Sequence, residues 1–98
     1  MTGKKFDEGK PPLSIIPRTA LEQEAQVFAF GAAKYGKNNF KGGMAYSRLI
    51  DATLRHVYAF ADKESIDPES GKSHLAHARC NLAMLLYFIE NEVGEDDR

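Results

Sequence analysis

The sequence predicts an all-α fold: a three-helix domain behind an extended N-terminal arm, with the helical bundle completed by homo-oligomerisation. Three observations carry that expectation. Apolar residues recur at helical spacing in three stretches, and β-type alternation of useful length is missing. The 98 residues, 43% hydrophobic, suffice for one small core. A chain this short leaves much of its surface unburied unless copies pair, and two of its helices carry apolar residues on more than one face.

Residues 1–17 hold three of the four prolines and many charges, which favours an extended arm. Leu13, Ile15 and Ile16 should clip it to the body. The helical domain spans residues 18–93, and its first helix should run from Arg18 to Tyr35. Thr19 and Glu22 have the spacing of a capping box, and Gly36 suits the left-handed position after the last turn. Leu21, Ala25, Phe28, Ala32 and Tyr35 form the expected buried stripe, which leaves Val27 and Phe30 for a subunit contact.

The next segment, GKNNFKGG, is too rich in Gly and Asn to continue the helix. A second helix is expected from Ser47 to Lys63, burying Ile50, Leu54, Val57 and Ala61. Glu64 to Gly71 should turn the chain, with Asp67 and Pro68 as N-cap and first residue of a single helical turn. Ser73 can cap a third helix from His74 to Val93, with Leu75, Ala78, Leu82, Leu85 and Ile89 as its core stripe. Residues 94–98 read as a disordered tail.

The formal net charge of −1, from 13 basic and 14 acidic residues, speaks against a nucleic-acid polymer as partner. A small polyphosphate needs only a local patch. The single cysteine, Cys80, excludes a disulfide framework or thiolate zinc site within one chain and reads as a core residue. No stretch approaches the ~20 apolar residues of a membrane span, and Met1 is not followed by an apolar leader, so a soluble, cytoplasmic protein is expected.

The segment ESIDPESGKSHLAHARCN, Glu64 to Asn81, concentrates the chemistry. His74, His77 and Asn81 fall on one helical face, where they can lean toward a metal or a ligand. Glu64, Asp67 and Glu69 can add oxygens, the donors that Mg²⁺ prefers. The same groups can equally brace the turn. Ser70-Gly71-Lys72-Ser73 resembles the end of a phosphate-binding loop, but Ile66 stands where that motif needs Gly. None of His56, His74 and His77 is followed by Asp, which removes a His-Asp phosphohydrolase reading.

The segment AKYGKNNFKGG interleaves Lys34, Lys37 and Lys41 with Tyr35 and Phe40. Ammonium groups attract phosphate, aromatic rings stack on bases, and the amides of Asn38 and Asn39 can read a base edge. The alternative is a basic surface loop whose aromatics plug the core. Arg55 and His56 can meet a polyphosphate from the second helix, although His56 shares a face with Leu49, Ala52 and Phe60 and also suits a half-buried position.

The succession FDEGKPPLSIIP, ALEQEAQVFAFGAAKYGKNNF, LIDATLRHVYAF and IDPESGKSHLAHARCNLAMLL resembles the dATP/dGTP diphosphohydrolase N-terminal domain family of phages and bacteria. The resemblance runs from about Phe6 to Leu86. It implies hydrolysis of a purine deoxynucleoside triphosphate to the monophosphate and pyrophosphate with a divalent metal, Mg²⁺ or Mn²⁺. By position it covers Lys34, Tyr35, Gly36 and Asn39, then Arg55 and His56, then Asp67, Glu69, Ser70, Gly71, His74, His77 and Asn81. Phe40 stands where Trp is expected. The helices lack the E-x-x-E and E-x-x-D acid pairs with which MazG-type all-α pyrophosphohydrolases hold Mg²⁺.

Together these readings assign Glu69, His74 and His77 to catalysis and Asp67, Glu69 and His77 to the metal. Lys34, Tyr35, Lys37, Asn39, Arg55, His56 and Asn81 are assigned to a purine nucleotide. The alternative function is a non-catalytic protein that sequesters a cyclic or signalling nucleotide, for example to counter host immunity.

Overall fold

The computed structural model describes residues 3–98; Met1 and Thr2 of the expected arm lie outside the described residues. Among the described residues there are three α-helices, α1 (Arg18–Tyr35), α2 (Tyr46–Ala61) and α3 (His74–Asn91), with short 3-10 turns at Leu13–Ile15 and Asn39–Gly42. β pairing amounts to the isolated bridges Ala45–Glu95 and Ile66–Ser73. The all-helical, three-helix expectation therefore holds, with α1 starting and ending where the sequence places it.

α3 is the central helix and packs against both α1 and α2. One core cluster joins Val27 of α1 to Ala76 and Cys80 of α3, with Phe28 and Met84 against it. The other joins Tyr46 and Leu49 of α2 to Phe88 of α3, with Phe40, Met44, Ile50, Leu85 and Val93 around it. Phe88 is fully buried and stacks on Tyr46 at 6.3 Å between ring centroids.

The expected stripes need correction. On α3, Leu75, Leu82 and Ile89 are exposed, while the buried set is His74, Ala76, Ala78, Cys80 and Phe88. Ala76 and Cys80 pack against Val27 of α1, whereas the contact with α2 is made through the large ring of Phe88. On α2, Leu54, Val57 and Ala61 face outward, and the inner side carries Tyr46, Leu49, Thr53 and His56. On α1, Leu21, Ala25 and Tyr35 are exposed, and Val27, expected at a subunit contact, is core.

The ends of the elements show what local chemistry does. Ser73 caps α3, its hydroxyl accepting from the N–H groups of Leu75 (3.1 Å) and Ala76 (3.4 Å). The capping box of α1 does not form: the N-cap is Pro17, Thr19 accepts from Gln23, and Glu22 pairs with Arg18 at 2.7 Å. Leu13, Ile15 and Ile16 do not clip the arm either, since all three stay exposed.

The tail expected to be disordered is tied down. Tyr46 N donates to Glu95 O (2.9 Å), Glu95 N to Met44 O (3.2 Å), and Ser47 N to the Asp97 carboxylate (2.9 Å), so residues from the chain's end satisfy the first N–H groups of α2. Gly43, at φ +82°, lies against the backbone of Gly94, with no room for a Cβ.

Candidate functional site

The segment between α2 and α3 folds back on the start of α3. Asp67 N donates to Lys72 O (2.8 Å), Gly71 N to Asp67 O (2.8 Å), and His74 N to Ser65 O (3.0 Å). The Asp67 carboxylate accepts from Ser70 N at 3.2 Å, which gives the single helical turn its N-cap. Glu64 and Asp67 are thereby held beside the first turn of α3. His56 arrives from the facing side of α2.

Two short hydrogen-bonded chains result. In the first, Glu64 Oε1 lies 2.7 Å from His74 Nε2, and His74 Nδ1 lies 2.8 Å from His56 Nδ1. In the second, Ser70 Oγ is 2.8 Å from Asp67 Oδ2 and 2.7 Å from His77 Nε2. The rings of His56 and His77 stack nearly parallel, 4.4 Å apart and 9° from coplanar, which places the two chains side by side.

Burial lowers the pKa of His56, helped by the neighbouring His77 and His74. It also lowers that of His77, where Asp67 partly opposes the shift. Burial pushes the Asp67 carboxyl up, but the Ser70 hydroxyl and N–H, with His77 and His56, together outweigh it and hold the group below its usual value.

These groups form one wall of a cavity of about 920 Å³, within the size of small-molecule sites. The end of α1 and the loop after it form the opposite wall. Every residue assigned from the sequence lines this cavity: Lys34, Tyr35, Lys37, Asn39, Arg55, His56, Asp67, Glu69, His74, His77 and Asn81. Both walls come from one chain.

Their surroundings distinguish them. Lys34 Nζ reaches Glu69 at 3.0 Å, and that hydrogen bond, with Tyr35, raises the lysine's pKa. Tyr35 is largely exposed, with Lys34 Nζ 5.2 Å from its ring centroid. Phe40 instead plugs the core, edge-on to Phe28 (5.5 Å) and Tyr87 (5.4 Å). His74 is only 4% exposed and has a partner on each ring nitrogen, so neither nitrogen is open to a ligand.

The donors expected to hold Mg²⁺ or Mn²⁺ do not form a cage. Glu69 is paired with Lys34, and Ser70 stands between Asp67 and His77, whose closest atoms are 3.5 Å apart. Among the described residues no three His, Cys, Asp or Glu side chains are placed to hold one ion.

Phe28 and Cys80, expected in the core, and Val27, expected at a subunit contact, form with Met84 an apolar part of the cavity lining, and Glu64 anchors His74. Cys80 and Met84 stand three and seven residues after His77 and so share its helical face, and that register was their signal. Glu64 was legible as an acid that could brace the turn, but not as the partner of His74, which lies ten residues away.

The whole sequence, residues 1–98, matches the family described as dATP/dGTP diphosphohydrolase, N-terminal. A protein of Salmonella phage PMBT28 named dATP/dGTP diphosphohydrolase is 42% identical to it over 98 residues. That alignment takes in 100% of this chain and 33% of the relative, so the chain spans about a third of the length of the curated protein it matches. No solved structure matches. On the full-length match and the residues it carries, the chain belongs to the dATP/dGTP diphosphohydrolase N-terminal family.

Proposed function

We propose that the cavity binds a purine deoxynucleoside triphosphate and that the chain takes part in its hydrolysis to the monophosphate and pyrophosphate. The observation that carries this reading is one cavity lined by Lys34, Lys37 and Arg55, by an aromatic and apolar floor, and by two stacked histidines. Cations neutralise the triphosphate, Tyr35 and Phe28 offer faces to the base, and Asn39 and Asn81 offer amides to its edge. The name of the phage relative supports the substrate class.

The ion pair between Lys34 and Glu69 does not obstruct this role. An exposed pair is screened by water and contributes little, whereas a triphosphate brings several negative charges and acceptor oxygens to the same ammonium. A phosphate can therefore displace Glu69 from Lys34. Hydrolysis of a phosphoanhydride depends mainly on positioning and charge neutralisation, which this wall of cations supplies. The donor set fits no resident metal, and no step is assigned to one.

Incubation with a deoxynucleotide panel and Mg²⁺ or Mn²⁺, followed by denaturation and analysis of the recovered nucleotide, tests the proposal. Monophosphate and pyrophosphate from dATP or dGTP are expected. The commitment of Glu64 and Asp67 to partners inside the chain favours a second reading, in which a nucleotide is held without cleavage. Intact nucleotide recovered with the protein would select it, and neither product nor retained nucleotide would sink both.

A further inference from the structure

Each hydrogen bond in the two chains holds one hydrogen, and the chemistry of the end groups decides which atom carries it. A carboxylate only accepts, so the 2.7 Å contact between Glu64 and His74 requires the hydrogen on His74 Nε2. Between His74 Nδ1 and His56 Nδ1, 2.8 Å apart, there is room for one hydrogen. If His74 supplied it, a full imidazolium would sit in a side chain 5% exposed, beside a carboxylate whose side chain is 54% exposed and well solvated. Burying that charge costs more than leaving the pair neutral. The hydrogen therefore belongs to His56 Nδ1, and His56 Nε2 is bare.

The second chain has the same logic. Ser70 has one hydroxyl hydrogen, and the 2.8 Å contact with Asp67 claims it. Ser70 Oγ then accepts from Lys72 N (3.1 Å) and from His77 Nε2 (2.7 Å). His77 thus carries its hydrogen on Nε2, and its Nδ1 is bare. Among the described residues neither His56 Nε2 nor His77 Nδ1 has a hydrogen-bond partner, and both rings line the cavity.

We infer that Glu64, through His74, and Asp67, through Ser70, are positioning groups that hold His56 and His77 as neutral tautomers, giving the cavity a wall of two proton-accepting ring nitrogens. Such a wall does not bind phosphate oxygens, which need donors; that task falls to Lys34, Lys37 and Arg55. It receives the hydrogen of a water. Resting on the hydrolytic reading above, the step is attack of a water oxygen on the α-phosphorus. The bond to the bridging oxygen breaks with its electron pair leaving on pyrophosphate. One water hydrogen passes to His56 Nε2, and the other stays on the new phosphate until lost to solvent. Glu64 and His74 disperse the charge that His56 gains.

The assignment is testable without turnover, by long-range proton–nitrogen NMR correlations of the ¹⁵N-histidine-labelled full chain at neutral pH. The expected spectrum shows a hydrogen on His56 Nδ1, His74 Nε2 and His77 Nε2, with His56 Nε2 and His77 Nδ1 bare. Glu64→Ala should convert His56 to a mixture of both tautomers, and Glu64→Gln, whose amide oxygen accepts the same hydrogen, should restore the wild-type pattern. Ser70→Ala should do to His77 what Glu64→Ala does to His56. A hydrogen on His56 Nε2 in the wild type, a doubly protonated His74, or a Glu64→Ala spectrum identical to wild type would overturn the inference. Calorimetric titration of the same samples with dATP and dGTP separates the two proposals: absence of binding removes the nucleotide reading and leaves the tautomers as measured.

Discussion

His56 of α2 and His77 of α3 stack ring on ring at 4.4 Å, and that single contact joins the two hydrogen-bonded chains that hold the acids of the 64–71 turn against the helices. Neither ring tolerates a charge well, because each is removed from water and lies beside another imidazole. In the unfolded chain both histidines titrate near the ordinary value of 6.5; in the folded chain both titrate lower. As pH falls from about 6.5 toward the folded pKa values, the unfolded state binds more protons and stability drops. Thermal unfolding midpoints should therefore decline between about pH 7 and pH 5.5, and a His56→Gln/His77→Gln double variant should decline less over that range. Asp67, whose folded pKa is lowered, adds a separate loss only as pH falls below the ordinary carboxylate value of 3.8.

Lys34, Lys37 and Arg55 should dominate nucleotide affinity. Replacing any one by Ala is expected to weaken dATP or dGTP binding by about ten-fold or more, the loss of a charge-assisted hydrogen bond. Isothermal titration calorimetry at two salt concentrations checks this, because the wild type should also weaken with salt. His56→Ala should change affinity much less than it changes turnover, which should fall by about 10²-fold or more. Equal losses in both would place His56 among the phosphate contacts.

Phe88 carries the larger core cluster. It is 0% exposed and touches the residues that seat α2 and the tail. Phe88→Ala should cost about 3–5 kcal/mol, read as a lowered urea midpoint with little change in slope.

The tail contributes to stability through backbone contacts that a substitution can probe. Gly43→Ala places a Cβ into the Gly94 backbone at a positive φ, and should destabilise by about 1–3 kcal/mol. Asp97→Ala removes the acceptor of Ser47 N and should lower the thermal midpoint, as loss of a helix cap does. Hydrogen exchange at Tyr46 and Ser47 should accelerate in both variants. Unchanged protection there would mean that the tail does not cap α2.

Cys80 should be inert despite lining the cavity. Burial pushes its thiol up to about 12, so almost no thiolate exists at neutral pH. Ellman's reagent should react with it only after denaturation. Rapid labelling of the native chain would contradict the packing around Val27 and Ala76.

Much of this protein is determined by local sequence. Helical periodicity located α1 and α3, Ser73 announced its own cap, and Asp67-Pro68 announced a turn, because these depend on neighbours a few residues away. The polar residues that line the cavity were legible as a set, since they cluster in two short segments, 34–39 and 67–81, with Arg55 and His56 between them. Which face of each helix is buried was not legible. Several faces of α1, α2 and α3 are apolar enough to serve, and only the packed structure selects Ala76 and Cys80 of α3 to face α1 and Phe88 to face α2. Long-range pairings were equally hidden: Asp97 caps a helix 50 residues earlier, and Glu64 fixes His56 through His74. A side chain's hydrogen-bonding capacity is written in its chemistry, but its partner is decided by the tertiary fold that brings distant segments within 3 Å.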